Sequence, residues 1–431
     1  MKFLFIILLF VVPLKAIAGD VALGCANESL SDFYGLIKKD YETKNATALI
    51  SMLQDQVTKC GKKTQQVLGV DDQFLKSMAK ESRKRELLRL KEKIDQASQF
   101  GSIQEYEKNF SELAVDQDPA FLKHFNEKKK QSQMASAYES KTCTQIDMTK
   151  DMPPVRNQDS VGWCYAFVAA DLASYKLKKN ISAADIALEY QDNWIDALNR
   201  SLGETPAAEL SGGRAGDAVE RMSEKGFCLE RDLPSEDNIG GDFKATLNNI
   251  EDLGRALISA DSKACEGIAF GARSIFPNAN TSDIRDVLEK SSKGQFINNL
   301  REKTCKDRIK GNLKTENFWV KGIYPEGVDH LEAARSIDQQ LSAKNPVALA
   351  LDANAFYDRS VVSVRGKIGA HAVSIVGRRF NKASGQCEYQ IRNSWGTGCS
   401  SYDTAYECKN GQFWMNKADV LKHTYGVTYV R

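Results

Sequence analysis

One cysteine and the run behind it constrain this chain more than any other feature. Residues 157–162 (Asn-Gln-Asp-Ser-Val-Gly) are polar and turn-prone, and Trp163 and Cys164 follow. Residues 165–177 are rich in Ala, Leu and aromatics and contain neither Gly nor Pro, so they read as a buried helix. A thiol at a helix N-terminus meets the positive end of the macrodipole and unpaired backbone N–H groups, both of which favour thiolate. The competing reading is a core cysteine, since free Cys is among the most buried residue types. Alone, the stretch does not choose between the two.

Two later stretches do. Residues 366–377 (Gly-Lys-Ile-Gly-Ala-His-Ala-Val-Ser-Ile-Val-Gly) form an apolar run bounded by glycines, which reads as a mostly buried strand. His371 stands at its start, where a side chain can leave the core for a cleft. Residues 388–398 read as a short strand running into a glycine-rich turn that contains Asn393, a residue at home in turns for backbone reasons alone. Each signal is weak singly, but the order Cys, His, Asn is specific. His124 and His423 lie in charged, helix-like stretches and His330 follows Asp329 near a helix start, so none of them opens an apolar strand.

Pro154-Val155-Arg156-Asn157-Gln158, Gly162-Trp163-Cys164-Tyr165-Ala166-Phe167, His371-Ala372-Val373 and Asn393-Ser394-Trp395-Gly396-Thr397-Gly398 together resemble the papain-like cysteine peptidases. Leu210-Ser211-Gly212-Gly213 is similar to that family's Gly-Gly turn. The resemblance implies an α+β, two-lobed fold with a helical lobe and a β-barrel-like lobe. It implies Cys164 as nucleophile, His371 as acid and base, and Asn393 as the group orienting the imidazole. Gln158 would supply an oxyanion donor, Trp395 would shield the His371–Asn393 bond, and Gly212, Gly213, Trp395 and Ala372 would contact substrate. The chemistry suits these residue types. A thiol near pKa 8.5 is little ionised at neutral pH, and an imidazolium beside a helix terminus brings it to about 3–4. The developing oxyanion then needs preorganised N–H donors.

The departures from the family pattern are specific too. Val161 and Leu210 occupy positions of a disulfide-bonded pair, so apolar packing is expected in its place. Trp163 replaces a small residue beside the nucleophile and is expected to narrow the cleft. Tyr165 replaces a Trp, and Cys399 stands where a second Trp is usual. The Cys164–His371 separation is 371 − 164 = 207 positions, against about 130–150 in the family.

In chain order, Lys2, the apolar residues after it and Ala16-Ile17-Ala18 read as a signal peptide over 1–18, too short for a membrane span. Residues 19–141 read as a helical N-terminal region, dense in Lys, Arg and Glu and broken near Gly101 and Pro119. It is either an inhibitory prosegment or a retained accessory domain. A peptidase domain follows over 142–431, with an insertion at about 237–325 that reads as charged helices over 283–290 and 294–303. Apolar residues near Val347, Ala348 and Leu349 are expected to line a substrate pocket.

Ten cysteines in an exported chain invite disulfides, with Cys25 and Cys60 a natural local pair and Cys387, Cys399 and Cys408 clustered. No Cys-x-x-Cys occurs, so no metal or cofactor is expected. A net charge of +2 on 431 residues gives no electrostatic basis for binding nucleic acid. The expected partners are peptide or protein substrates and an intramolecular prosegment, with no stable membrane insertion once the signal is removed. The location expected is secreted or periplasmic. The alternative functions are a peptidase-fold binding protein with weak or no turnover, and an acyl transferase or deamidase using the same thiolate.

Overall fold

The computed structural model describes scattered positions between 84 and 98 and residues 118–190, 212–236, 242–260, 272–291, 295–320, 327–358 and 369–431. The expected signal peptide, the Cys25–Cys60 pairing, Leu210 and Cys265 lie outside the described residues. The chain divides into two compact units, Met1–Ser98 with Ile103–Gln131 and Gln99–Ser102 with Ser132–Arg431. No described helix is long and apolar enough to cross a membrane.

In the first unit, helix α1 (Pro119–Thr142) begins where the sequence expects a break. Asp118 Oδ1 accepts from the Ala120 and Phe121 N–H groups at 3.0 Å, and Pro119, with no N–H to satisfy, takes the first helical position. Leu90, Ile94, Phe121 and Phe125 are buried, and Asp95 pairs with His124 at 2.9 Å and Lys128 at 3.2 Å.

The second unit opens with the last turns of α1. Cys143 is disulfide-bonded to Cys387, and the buried Glu139 accepts from the Cys387 N–H at 3.1 Å. Strand β1 (Ile146–Asp147) follows, and then helix α2 (Cys164–Leu177). Every residue of α2 from Tyr165 to Tyr175 is buried, as expected of a helix apolar all round. Its alanines at 166, 169, 170 and 173 let neighbouring elements approach closely. Around it lie α3 (Ala183–Tyr190), α4 (Ala215–Lys225), α5 (Phe243–Ala260), α6 (Thr281–Lys290) and α7 (Phe296–Thr304).

Helices α5 to α7 belong to the extra residues between Cys164 and His371, yet they add to the helical core. Phe243, Leu247, Ile250, Ile284, Phe296 and Leu300 bury into the same cluster as α2. Arg301 of α7 is 1 % exposed and places Nη2 2.7 Å from Glu189 Oε2 on α3. Arg308 grips the buried Asp185 of α3 with both Nη atoms, at 3.0 and 3.1 Å. A Cys228–Cys305 disulfide closes the same junction. The extra stretch does not stay helical, because strand β2 (Thr315–Trp319) joins the main sheet.

Helix α8 (His330–Ser342) leads into β3 (Val347–Asp352), the short helix α9 (Asn354–Tyr357), β4 (Ala370–Asn381) and β5 (Gln386–Arg392). Strands β6 (Glu407–Lys409) and β7 (Gln412–Asn416), helix α10 (Lys417–His423) and β8 (Thr424–Val430) complete the chain. The sheet is antiparallel in the order β2-β8-β3-β4-β5-β7-β6, with β1 pairing on β4. The long β4 is its organising strand: its first half pairs with β3, with His371 opposite Leu351, and its second half with β5. A second apolar core, including Ile337, Val347, Leu351, Val373, Tyr389 and Phe413, lies on this sheet.

Candidate active site

Cys164 is the first residue of α2, preceded by Trp163, whose side chain makes no capping hydrogen bond. The backbone N–H groups of Cys164, Tyr165 and Ala372 are arranged about the sulfur and favour its ionisation, but burial outweighs them and pushes the thiol up. Among the described residues Cys164 is the one free cysteine. The Ala372 N–H comes from β4, so the strand that carries His371 runs beside the head of α2.

The expected narrowing of the cleft by Trp163 is corrected here. The indole is fully buried, and it packs edge-on against Phe243 of α5 at 6.0 Å between ring centroids. Its bulk faces the extra helices, not substrate. Gly213 is explained by Tyr165, since a Cβ at that glycine would lie 2.7 Å from the Tyr165 ring. Gly212 has φ +84° and donates its N–H to the Gly162 carbonyl at 3.1 Å, which holds the glycine turn against the loop before Cys164. Val161 is buried in the helical core, while its expected packing partner Leu210 lies outside the described residues.

His371 is buried on β4, with Nε2 2.7 Å from Asn393 Oδ1. Burial draws its pKa down to about 4, against the opposing pull of the Asn393 bond. Trp395 lies 4.9 Å from the imidazole centroid, with the two rings tilted by 31°. Gln158 is anchored three ways: its N–H donates to the Ser394 carbonyl at 2.8 Å, its Oε1 accepts from Ser394 Oγ at 2.6 Å, and Nε2 donates to the Val161 carbonyl at 2.8 Å. A primary amide carries two hydrogens on nitrogen, so one donor remains beyond the Val161 bond. Ala372 contributes its backbone N–H at the sulfur, while its methyl group belongs to the helical core. The expected pocket lining at Val347, Ala348 and Leu349 is corrected as well, because all three are buried core residues of β3.

The family model described as papain family cysteine protease matches residues 142–414. The chain belongs to the papain family. No curated protein matches the sequence. Among solved structures this papain-family chain is similar to digestive procathepsin L 3 of Tenebrio molitor, at 13% identity over 66% of this chain and 69% of that one, with a TM-score of 0.35. It is also similar to bromelain of Ananas comosus, at 16% identity over 66% and 97% of the two chains, with a TM-score of 0.34.

Sequence reasoning overlooked two groups of residues. One is a buried charge cluster: Asp171 of α2 accepts from Arg392 Nε at 2.7 Å and from Arg156 at 3.1 Å, and Arg156 also reaches Glu230 at 2.9 Å. A carboxylate inside an otherwise apolar helix was the signal, because such a group is rarely buried without a partner. The other is Tyr402, whose hydroxyl lies 3.2 Å from Asn393 Nδ2. Nothing in the sequence marked it.

Proposed function

We propose that this papain-family chain is an exported cysteine peptidase that hydrolyses peptide bonds through Cys164, His371 and Asn393, with Gln158 as an oxyanion donor. The observation that carries the reading is the 2.7 Å bond from His371 Nε2 to Asn393 Oδ1, on the strand whose next N–H is directed at the Cys164 sulfur. With Nε2 engaged by Asn393, Nδ1 is the nitrogen left to exchange a proton with the thiol.

Burial opposes either charge alone, raising the thiol and lowering the imidazole. One proton passing from sulfur to Nδ1 creates both charges together, so each stabilises the other and the two groups titrate as a pair. The thiolate attacks the peptide carbonyl, and the oxyanion accepts from the Cys164 N–H and the second Gln158 amide hydrogen. The imidazolium protonates the leaving amine, and the neutral imidazole then draws a proton from the water that cleaves the thioester. Gly212 and Gly213 present backbone to an extended substrate.

Export is supported by the signal-like residues 1–18 and by the disulfides Cys143–Cys387, Cys228–Cys305 and Cys399–Cys408, which persist in oxidising compartments. The N-terminal region 19–141 acts as a prosegment or an accessory domain, and N-terminal sequencing of the secreted, active protein distinguishes them. The function itself is tested with a generic peptide substrate. Wild-type protein is expected to cleave it, a thiol-directed epoxide to block cleavage, and Cys164→Ala to abolish it. Cleavage by Cys164→Ala at the wild-type rate would refute the assignment, and product mass separates hydrolysis from acyl transfer.

A further inference from the structure

We propose that Tyr402 is a positioning residue, whose hydroxyl fixes the Asn393 amide with its carbonyl toward His371. The inference rests on the peptidase reading for its consequence in catalysis, but its geometry stands independently. The two ends of an amide are nearly the same shape, so what sets the direction of the Asn393 side chain is the character of its hydrogen-bond partners. At one end, the Ser394 backbone N–H lies 2.8 Å from Oδ1, and a backbone N–H can only donate. At the other end, Nδ2 lies 3.2 Å from the Tyr402 hydroxyl, whose oxygen lies 3.5 Å from the Gly411 carbonyl in a long hydrogen bond. A carbonyl can only accept, so the phenol donates to Gly411 and accepts from Nδ2. Both ends therefore select the same orientation, the one that places Oδ1 against His371 Nε2.

The tyrosine is itself held in place. Its ring stacks on Trp395 at 5.9 Å and 10° and packs on Phe413 at 4.5 Å. The Cys399–Cys408 disulfide encloses its loop, and the Asp403 N–H donates to the Phe356 carbonyl at 2.7 Å. Gly411 has φ +68°, and a Cβ there would collide with the Gly396 carbonyl oxygen, so the acceptor for the phenol is locked as well. Burial raises the phenol to about 12, which keeps its proton on at neutral pH. An Asn393 amide held this way stabilises a proton on Nε2 and leaves Nδ1 facing the nucleophile.

The test is Tyr402→Phe, which keeps the ring and removes the hydroxyl. Losing one such bond is expected to lower kcat about tenfold, with KM within about twofold. The alkaline limb of the kcat profile and the His371 titration followed by nitrogen NMR should both move down by about one pH unit. A purely structural role would lower the melting temperature without moving either. Unchanged kcat and an unchanged His371 titration would overturn the inference. If wild-type protein cleaves nothing, the peptidase reading fails, while the His371 titration still judges Tyr402. If the variant does not fold, the neutral tautomer of His371 in wild-type protein decides: a proton on Nε2 supports the proposal, and a proton on Nδ1 overturns it.

Discussion

Asp171 stands two turns along α2 from Cys164 and binds Arg392, the residue immediately before Asn393. One carboxylate therefore joins the element carrying the thiol to the end of β5, one residue before the amide, with Arg156 on its other side. All three side chains are buried or nearly so. Deleting one partner of such a cluster leaves uncompensated charge inside, which costs about 3–5 kcal/mol. Asp171→Ala is expected to lose about that much stability in urea denaturation; a loss below about 1 kcal/mol would show that water or rearrangement rescues the arginines. Cys164, His371 and Asn393 were legible in the sequence because each sits in a short run of distinctive neighbours. The Asp171–Arg392 pair was not, because its partners are 221 positions apart and an ion pair leaves no local pattern.

At the scale of elements, the long stretch between the Gly-Gly turn and β3 contributes to the core on which α2 rests. Trp163 packed against Phe243 joins α5 to the residue before Cys164. Phe243→Ala is expected to destabilise the protein by about 3–5 kcal/mol through lost burial and the cavity left behind. Peptidase activity in the variant should fall more steeply on warming than in wild type, with denaturation and activity assays run side by side. A loss under about 1 kcal/mol would mean that α5 packs only loosely. Helices α2, α6 and α7 were readable from composition and periodicity. The role of Trp163 was misread because a side chain beside a nucleophile has two directions to take, and only tertiary packing chooses. Strand β2 was missed because Thr-Glu-Asn-Phe-Trp has no alternation, being an edge strand partly exposed along its length.

For the whole molecule, the helical core and the sheet core meet where α2 runs beside β4, and a buried histidine of α10 ties its stability to pH. His423 is drawn down to about 4, mainly by burial. Below about pH 6.5 the unfolded chain binds a proton that native His423 refuses, so its contribution is full above that pH and is lost as pH falls toward 4. It is expected to account for about 2 kcal/mol of loss between pH 7 and 4.5. Glu139 and Glu236, whose carboxyls burial raises, act in the opposite direction and soften the decline. Denaturant titrations at the two pH values check this, and His423→Gln should flatten the slope. Equal stability at both would contradict it. The two-lobed plan followed from the family resemblance that the ordered motifs carry. The Cys143–Cys387, Cys228–Cys305 and Cys399–Cys408 pairings were not, since sequence spacing does not encode which sulfurs meet.

If Cys164 works as a thiolate paired with the His371 imidazolium, the rate of its alkylation by iodoacetamide across pH reports that pair. The reaction is expected to be fast well below pH 7 and to lose that speed in His371→Ala, with peptidase activity disappearing as the sulfur is modified. A rate that rises only above about pH 8.5, as for an ordinary thiol, and that is indifferent to His371 would contradict it.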